Sequence, residues 1–209
     1  YRPGTKGWGP EFGGRPTAVW EDGVTVAATA GPVTGQYMVV DLSGGTRAMR
    51  YPVSFLDAVP AGGWTDEYKT DKLVLRRIEP GTFVMGSPTN EVSRDPSRET
   101  QHPVTLTKPF YIGVFEVTQR QWERVMGNRP SYYTNALYYA ARPVERVSHC
   151  KIREYPDGTH DPSVYWPSNN TVSADSFMGR LRSKTGLETM DLPTEAQWEY
   201  AARGADGRI

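Results

Sequence analysis

Glycine and proline constrain this chain more than any other feature: 21 glycines and 17 prolines in 209 residues cut its apolar runs into short pieces. Both residues favour turns over helix or strand interiors, so many turns and long loops around short strands are expected. What remains is a loop-rich α+β chain. Its 37% hydrophobic and 11% aromatic content is enough for a real core. Lysine plus arginine and aspartate plus glutamate number 24 each, which removes any long-range pull on nucleic acid or an anionic membrane. No apolar run is long enough to span a bilayer.

The pattern along the chain divides it. Residues 1–16 are rich in glycine and proline without a period and read as an arm or linker. Residues 17–65 alternate: Val24, Val26 and Ala28 fall two apart, residues 37–42 and 51–55 are β-prone, and Gly44 with Gly45 marks a turn. This segment resembles part of a small β-sandwich. Residues 72–209 form a second region, with strands expected at 72–78, 82–85, 104–107 and 110–117, the last buried on both faces. Three helices follow. Thr118 with Gln121 and Thr194 with Gln197 have capping-box spacing, and Ser173 precedes an apolar stripe of Ala174, Phe177, Met178 and Leu181. Trp122 and Trp198 are expected on inward faces, so Trp122, Phe177, Leu181 and Trp198 are assigned structural roles. Residues 131–172, between the first two helices, read as irregular. The start at Tyr1 and the end at Ile209 both read as cuts from a larger protein.

Few residues carry chemistry. Cys150 is the one cysteine, which excludes an intramolecular disulfide and any site needing two thiolates from this chain. His149 beside Cys150 favours a buried small thiol next to a packed or surface imidazole over a metal site, since adjacent residues seldom point at one ion. His160 lies between Asp157 and Asp161. His102 before Pro103 reads as a loop residue bonded to backbone. Glu91, Asp95 and Glu99 have the oxygens for calcium but lack the calcium-hand order, and a solvated loop neutralised by Arg94 and Arg98 is the stronger reading. Asn169, Asn170 and Thr171 match the N-glycosylation triplet. Tyr132, Tyr133, Tyr138 and Tyr139 have the chemistry to line a ligand groove, but filling a loop-rich core is the stronger reading.

Four blocks taken together carry a resemblance. They are residues 81–87 (GTFVMGS), 110–119 (FYIGVFEVTQ) followed by Trp122, 142–145 (RPVE) followed by Val147 and Ser148, and 192–204 (LPTEAQWEYAARG). In this order they resemble the formylglycine-generating-enzyme, or sulfatase-modifying-factor, domain, matched here from about residue 72 to 204. The resemblance implies a C-type-lectin-like variant fold with little regular secondary structure. It implies an oxidase that converts a sulfatase cysteine to formylglycine, with copper held by two cysteines and calcium bracing the fold. The family keeps those cysteines and calcium ligands downstream of the 192–204 block. No catalytic, cofactor-binding or metal-binding residue therefore transfers to this chain. His149 and Cys150 depart from the tryptophan and polar residue usual after the valine–serine pair.

Two readings follow. In the first, the parent protein is a formylglycine-generating oxidase whose partner is a sulfatase or a cysteine-containing peptide, and this chain alone is inactive. In the second, the chain is a non-catalytic, lectin-like ligand-binding or surface-display module. A bacterial extracytoplasmic or cell-surface location is expected under either. A missing C-terminal half, or another chain, is expected to supply strands beside residues 72–78 and 110–117.

Overall fold

The computed structural model describes residues 18–20 (backbone only), 35–164 and 170–204. The expected arm at 1–16, the alternation at Val24, Val26 and Ala28, and Asn169 of the glycosylation triplet lie outside the described residues.

Strands β1 (Ala18–Trp20), β2 (Tyr37–Asp41), β3 (Val53–Leu56), β4 (Lys72–Ile78), β5 (Gly81–Met85), β6 (His102–Leu106) and β7 (Phe110–Gly113) form two sheets. The larger has the order β1-β7-β4-β2-β3, all antiparallel, and the smaller is the β5–β6 hairpin. Helices α1 (Glu67–Thr70), α2 (Gln119–Met126), α3 (His149–Arg153), α4 (Phe177–Thr185) and α5 (Glu195–Ala202) are short. The domain is α+β.

Two expectations about the sheet are corrected. β2 and β3 do not form a separate sandwich-like unit: β2 runs beside β4 from Tyr37↔Arg76 to Asp41↔Lys72 and extends the same sheet. The edges of β4 and β7 are not left open either. β4 lies between β2 and β7, and β7 lies between β4 and β1. The physical reason is alternation matched across neighbours. Met38 and Val40 on β2, Leu73 and Leu75 on β4, and Tyr111 on β7 present one apolar face together. The expected strand at 110–117 ends at Gly113, although Val117 beyond it is still buried.

That sheet face carries the main core, roofed by α2 and α4. Trp122 of α2 stacks on Phe177 of α4, centroids 4.9 Å apart with the rings 3° from parallel, beside Val125, Met178 and Leu181. Side chains buried this way each contribute about 1.5–3 kcal/mol. The opposite face at the β7 end holds a second cluster of Ile78, Phe83, Phe110, Ile112 and Tyr200.

The helix starts are set locally. Thr118 caps α2 and Thr194 caps α5, each in a reciprocal box with the glutamine three residues on. α4 begins later than expected. Its cap is Ser176, not Ser173, and Ala174 is exposed. Ser173 instead gives its carbonyl to the Ser176 amide and hydroxyl, closing a turn that lies against Gly179, where a Cβ would sit 2.0 Å from the Ser173 oxygen. Trp198 is also corrected. It is 43% exposed, because the inward side of α5 is taken by Gln197 and Tyr200. One residue on, a helix has turned about 100°, which carries Trp198 outward. Its indole lines an open cavity of about 390 Å³ with Tyr37, Trp64 and Ile112.

Candidate functional site

The four sequence blocks meet in pairs. Residues 81–87 dock on residues 192–204: the Glu199 carboxylate accepts from the Gly86 amide at 2.9 Å, and Arg203 donates to the Gly86 carbonyl at 2.8 Å. Glu199 and Arg203 also pair with each other at 2.7 Å. Gly81 must be glycine here, since a Cβ would lie 2.1 Å from the Tyr200 hydroxyl. Residues 110–119 dock on residues 142–148. The Gln119 amide donates to the Arg142 carbonyl at 2.8 Å and the Val144 amide to the Val117 carbonyl at 2.9 Å.

The second junction presents a loop, residues 129–146, with its aromatic side chains outward. Tyr132 is 64% exposed and Leu137 76%, and Tyr133 and Tyr138 are also exposed. This loop is held rather than slack. The Glu145 carboxylate accepts from the Tyr132 and Tyr133 amides, Ser131 bonds the Glu145 backbone through both amide and carbonyl, and Gln119 donates to the Tyr133 carbonyl at 3.1 Å. Arginines lie over the rings: Arg146 is 4.8 Å from the Tyr132 centroid, Arg142 5.7 Å from Tyr138, and Arg129 4.5 Å from Tyr139. Arg129 is also paired with Glu123 at 2.7 Å, and Arg146 lies 3.9 Å from Glu145. The result is a fixed aromatic ridge, turned outward rather than filling a loop-rich core as expected.

Beside it the 131–172 stretch, expected to be irregular, contains α3, capped by Ser148. Arg153 of α3 is fully buried. Its guanidinium grips Asp191 bidentately at 2.7 and 2.8 Å, and Arg182 joins the same carboxylate at 3.0 Å. The next residue, Glu154, is also buried and receives His149 Nδ1 at 3.3 Å, His160 Nδ1 at 2.7 Å and the Asp161 amide at 2.5 Å. Donor atoms of Cys150, Glu154 and His160 lie within 4.8 Å of one another. Sequence reasoning named the cysteine and both histidines but not Glu154, which joins them. The available signal was the four-residue spacing from Cys150 to Glu154, which places both on one helix face. Partial desolvation of the ring, whose side chain is still 44% exposed, and after it the charge of Arg153, lower the pKa of the His149 imidazole. Burial, and after it the negative charge of Glu154, pushes the Cys150 thiol up.

The acidic loop does not converge. Asp95 accepts from the Ser97 amide and hydroxyl and pairs with Arg98 at 3.6 Å. Arg94 donates to the carbonyls of Ser87 and Glu99 rather than to an acid, and His102 Nδ1 meets the Thr100 carbonyl at 2.9 Å.

The sulfatase-modifying factor enzyme 1-like domain matches this chain over residues 63–208, covering all four blocks and the contacts that join them. The chain belongs to that family. The curated chaperone protein LppX of Paenibacillus barcinonensis is 38% identical to it over 146 residues, covering 65% of this chain and 46% of that protein. The chain thus spans about half the length of the curated relative it matches. No solved structure matches it. The copper centre that the family implies needs two thiolates, and this chain's one cysteine does not fit it. Calcium does not fit the loop of Glu91, Asp95 and Glu99, whose carboxylates do not gather into a metal-holding group. Among the described residues, no helix is long and apolar enough to cross a membrane.

Proposed function

We propose that this domain engages another polypeptide and holds it in extended form, as a non-catalytic, lectin-like module of the sulfatase-modifying factor family. The observation that carries the reading is the fixed, exposed ridge of Tyr132, Tyr133, Leu137 and Tyr138, with Arg146 over Tyr132 and Arg142 over Tyr138. Exposed aromatics held rigid lose little entropy on binding, and they recur at the centres of protein interfaces. Arg142 and the loosely paired Arg146 beside the rings favour a partner segment carrying acidic side chains. The relative named as a chaperone supports a protein-handling role. An extracytoplasmic or cell-surface location belongs to the same proposal.

Family membership favours a second reading, in which the complete protein oxidises a cysteine of a bound sulfatase or peptide to formylglycine, with copper and calcium bound elsewhere in it. One assay separates the two. The protein at its full natural length is incubated with a reduced, acidic, cysteine-containing polypeptide, Cu(I) and oxygen. The holding role predicts suppressed aggregation of that polypeptide and an unchanged cysteine by mass spectrometry. Conversion of the cysteine to an aldehyde with oxygen uptake would establish the oxidase instead.

A further inference from the structure

We infer that Cys150, Glu154 and His160 form a binding site for one divalent transition-metal ion of borderline softness, with zinc the best match. The site is independent of the polypeptide-binding ridge. Its donors are a thiol sulfur, a carboxylate oxygen and an imidazole nitrogen, all within 4.8 Å of one another. Zinc takes this mixture of sulfur, nitrogen and oxygen ligands at about 2.0–2.3 Å. Ligands of one tetrahedral ion are then about 3.5 Å apart, so closing the site calls for side-chain shifts of about 1 Å.

The backbone delivers the three ligands by a short route. Cys150 and Glu154 stand one helical turn apart on α3 and at its end. Gly158, at a φ of +94°, and the Asp157 side chain, accepting from the Thr159 amide at 2.8 Å, turn the following loop so that His160 returns to the Glu154 carboxylate. Arg153, locked on Asp191, fixes the end of the helix from behind.

Charge supplies a second argument. Glu154 is 2% exposed, and among the described residues its ion-pair partners are His149 and His160, which are charged only when protonated. A buried carboxylate without a permanent cation is costly, and a bound ion offsets it. His149, bonded to the other oxygen of Glu154, orients the carboxylate as an outer partner does at a metal centre. His160 has a side chain 59% exposed, which leaves the ion an entry path and a fourth position open to water. On binding, the thiol proton leaves to solvent as the sulfur–metal bond forms. His160 moves its proton from Nδ1 to Nε2 and gives Nδ1 to the ion.

Cobalt(II) is the direct probe. Titrated into the reduced, metal-free full chain at neutral pH, it should saturate at one equivalent. The visible bands of a tetrahedral ion should appear with a thiolate-to-cobalt charge-transfer band, and zinc should bleach both. Cys150→Ser should abolish the charge-transfer band. His160→Gln, at an exposed position that leaves the fold intact, should weaken cobalt binding by more than about tenfold. An octahedral aqua-ion spectrum with the native chain would overturn the inference. So would a charge-transfer band that persists in Cys150→Ser, or native affinity in His160→Gln.

Discussion

Burial of the Arg153 guanidinium is tolerable because Asp191 accepts from it bidentately, with the Val164 and Thr171 carbonyls taking two further donors at 3.5 and 3.2 Å. Other single side chains divide by what covers them. Trp122 is stacked and enclosed, so Trp122→Ala should lower stability by about 3–5 kcal/mol. Trp198 stands at the rim of an open cavity, so Trp198→Ala should cost under about 1.5 kcal/mol. Urea melts of the two variants measure the contrast, and equal losses would contradict the placement of Trp198. His149 supplies a pH signature. Its pKa is lowered in the fold, so the unfolded chain binds more protons there, and stability present above pH about 6.5 is lost as the pH falls. Glu154, Arg153, Asp191 and His160 face the same pocket and stay in place in His149→Gln. That variant should show a shallower loss of melting temperature between about pH 7.5 and 5 than the native chain. An unchanged slope would rule His149 out as its source.

At the scale of elements, what the sequence disclosed depended on the range of the interaction. The boxes at Thr118 and Thr194 span three residues, and α2 and α5 start where that local chemistry puts them. Replacing either threonine by alanine should cost about 0.5–2 kcal/mol, measured by thermal or denaturant melts. β4 was legible because its apolar content suits a strand buried on both sides. Its partners were not, because β2 joins it across more than 30 residues of chain and periodicity says nothing of pairing. α3 escaped because five residues are too few to display a helical period. The facing of α5 was misjudged because tryptophan was assumed to point inward, whereas Tyr200, packed over Gly81, sets the inward side. The metal cluster was half legible: Cys150, His149 and His160 stood out, while Glu154 needed the fold to bring it between them.

For the whole molecule, the two docked block pairs explain why a family signature scattered over residues 81–204 works as one unit. Glu199 and Arg203 clamp residues 81–87 to α5, and Val144 and Gln119 clamp the 142–148 strip to the start of α2. This scaffold leaves Tyr132, Tyr133, Leu137 and Tyr138 of the 129–146 loop exposed, where they are available to bind. The ridge is therefore the part of the molecule on which the proposed function stands. Fluorescence anisotropy with a labelled, extended, acidic peptide tests it most directly, titrating the native chain and a Tyr132→Ser, Tyr138→Ser double variant. Saturable binding by the native chain, weakened at least about tenfold (about 1.4 kcal/mol) in the variant with its melting temperature unchanged, is the predicted result. Equal affinity in the two proteins, or no saturable binding by the native chain, would contradict the account.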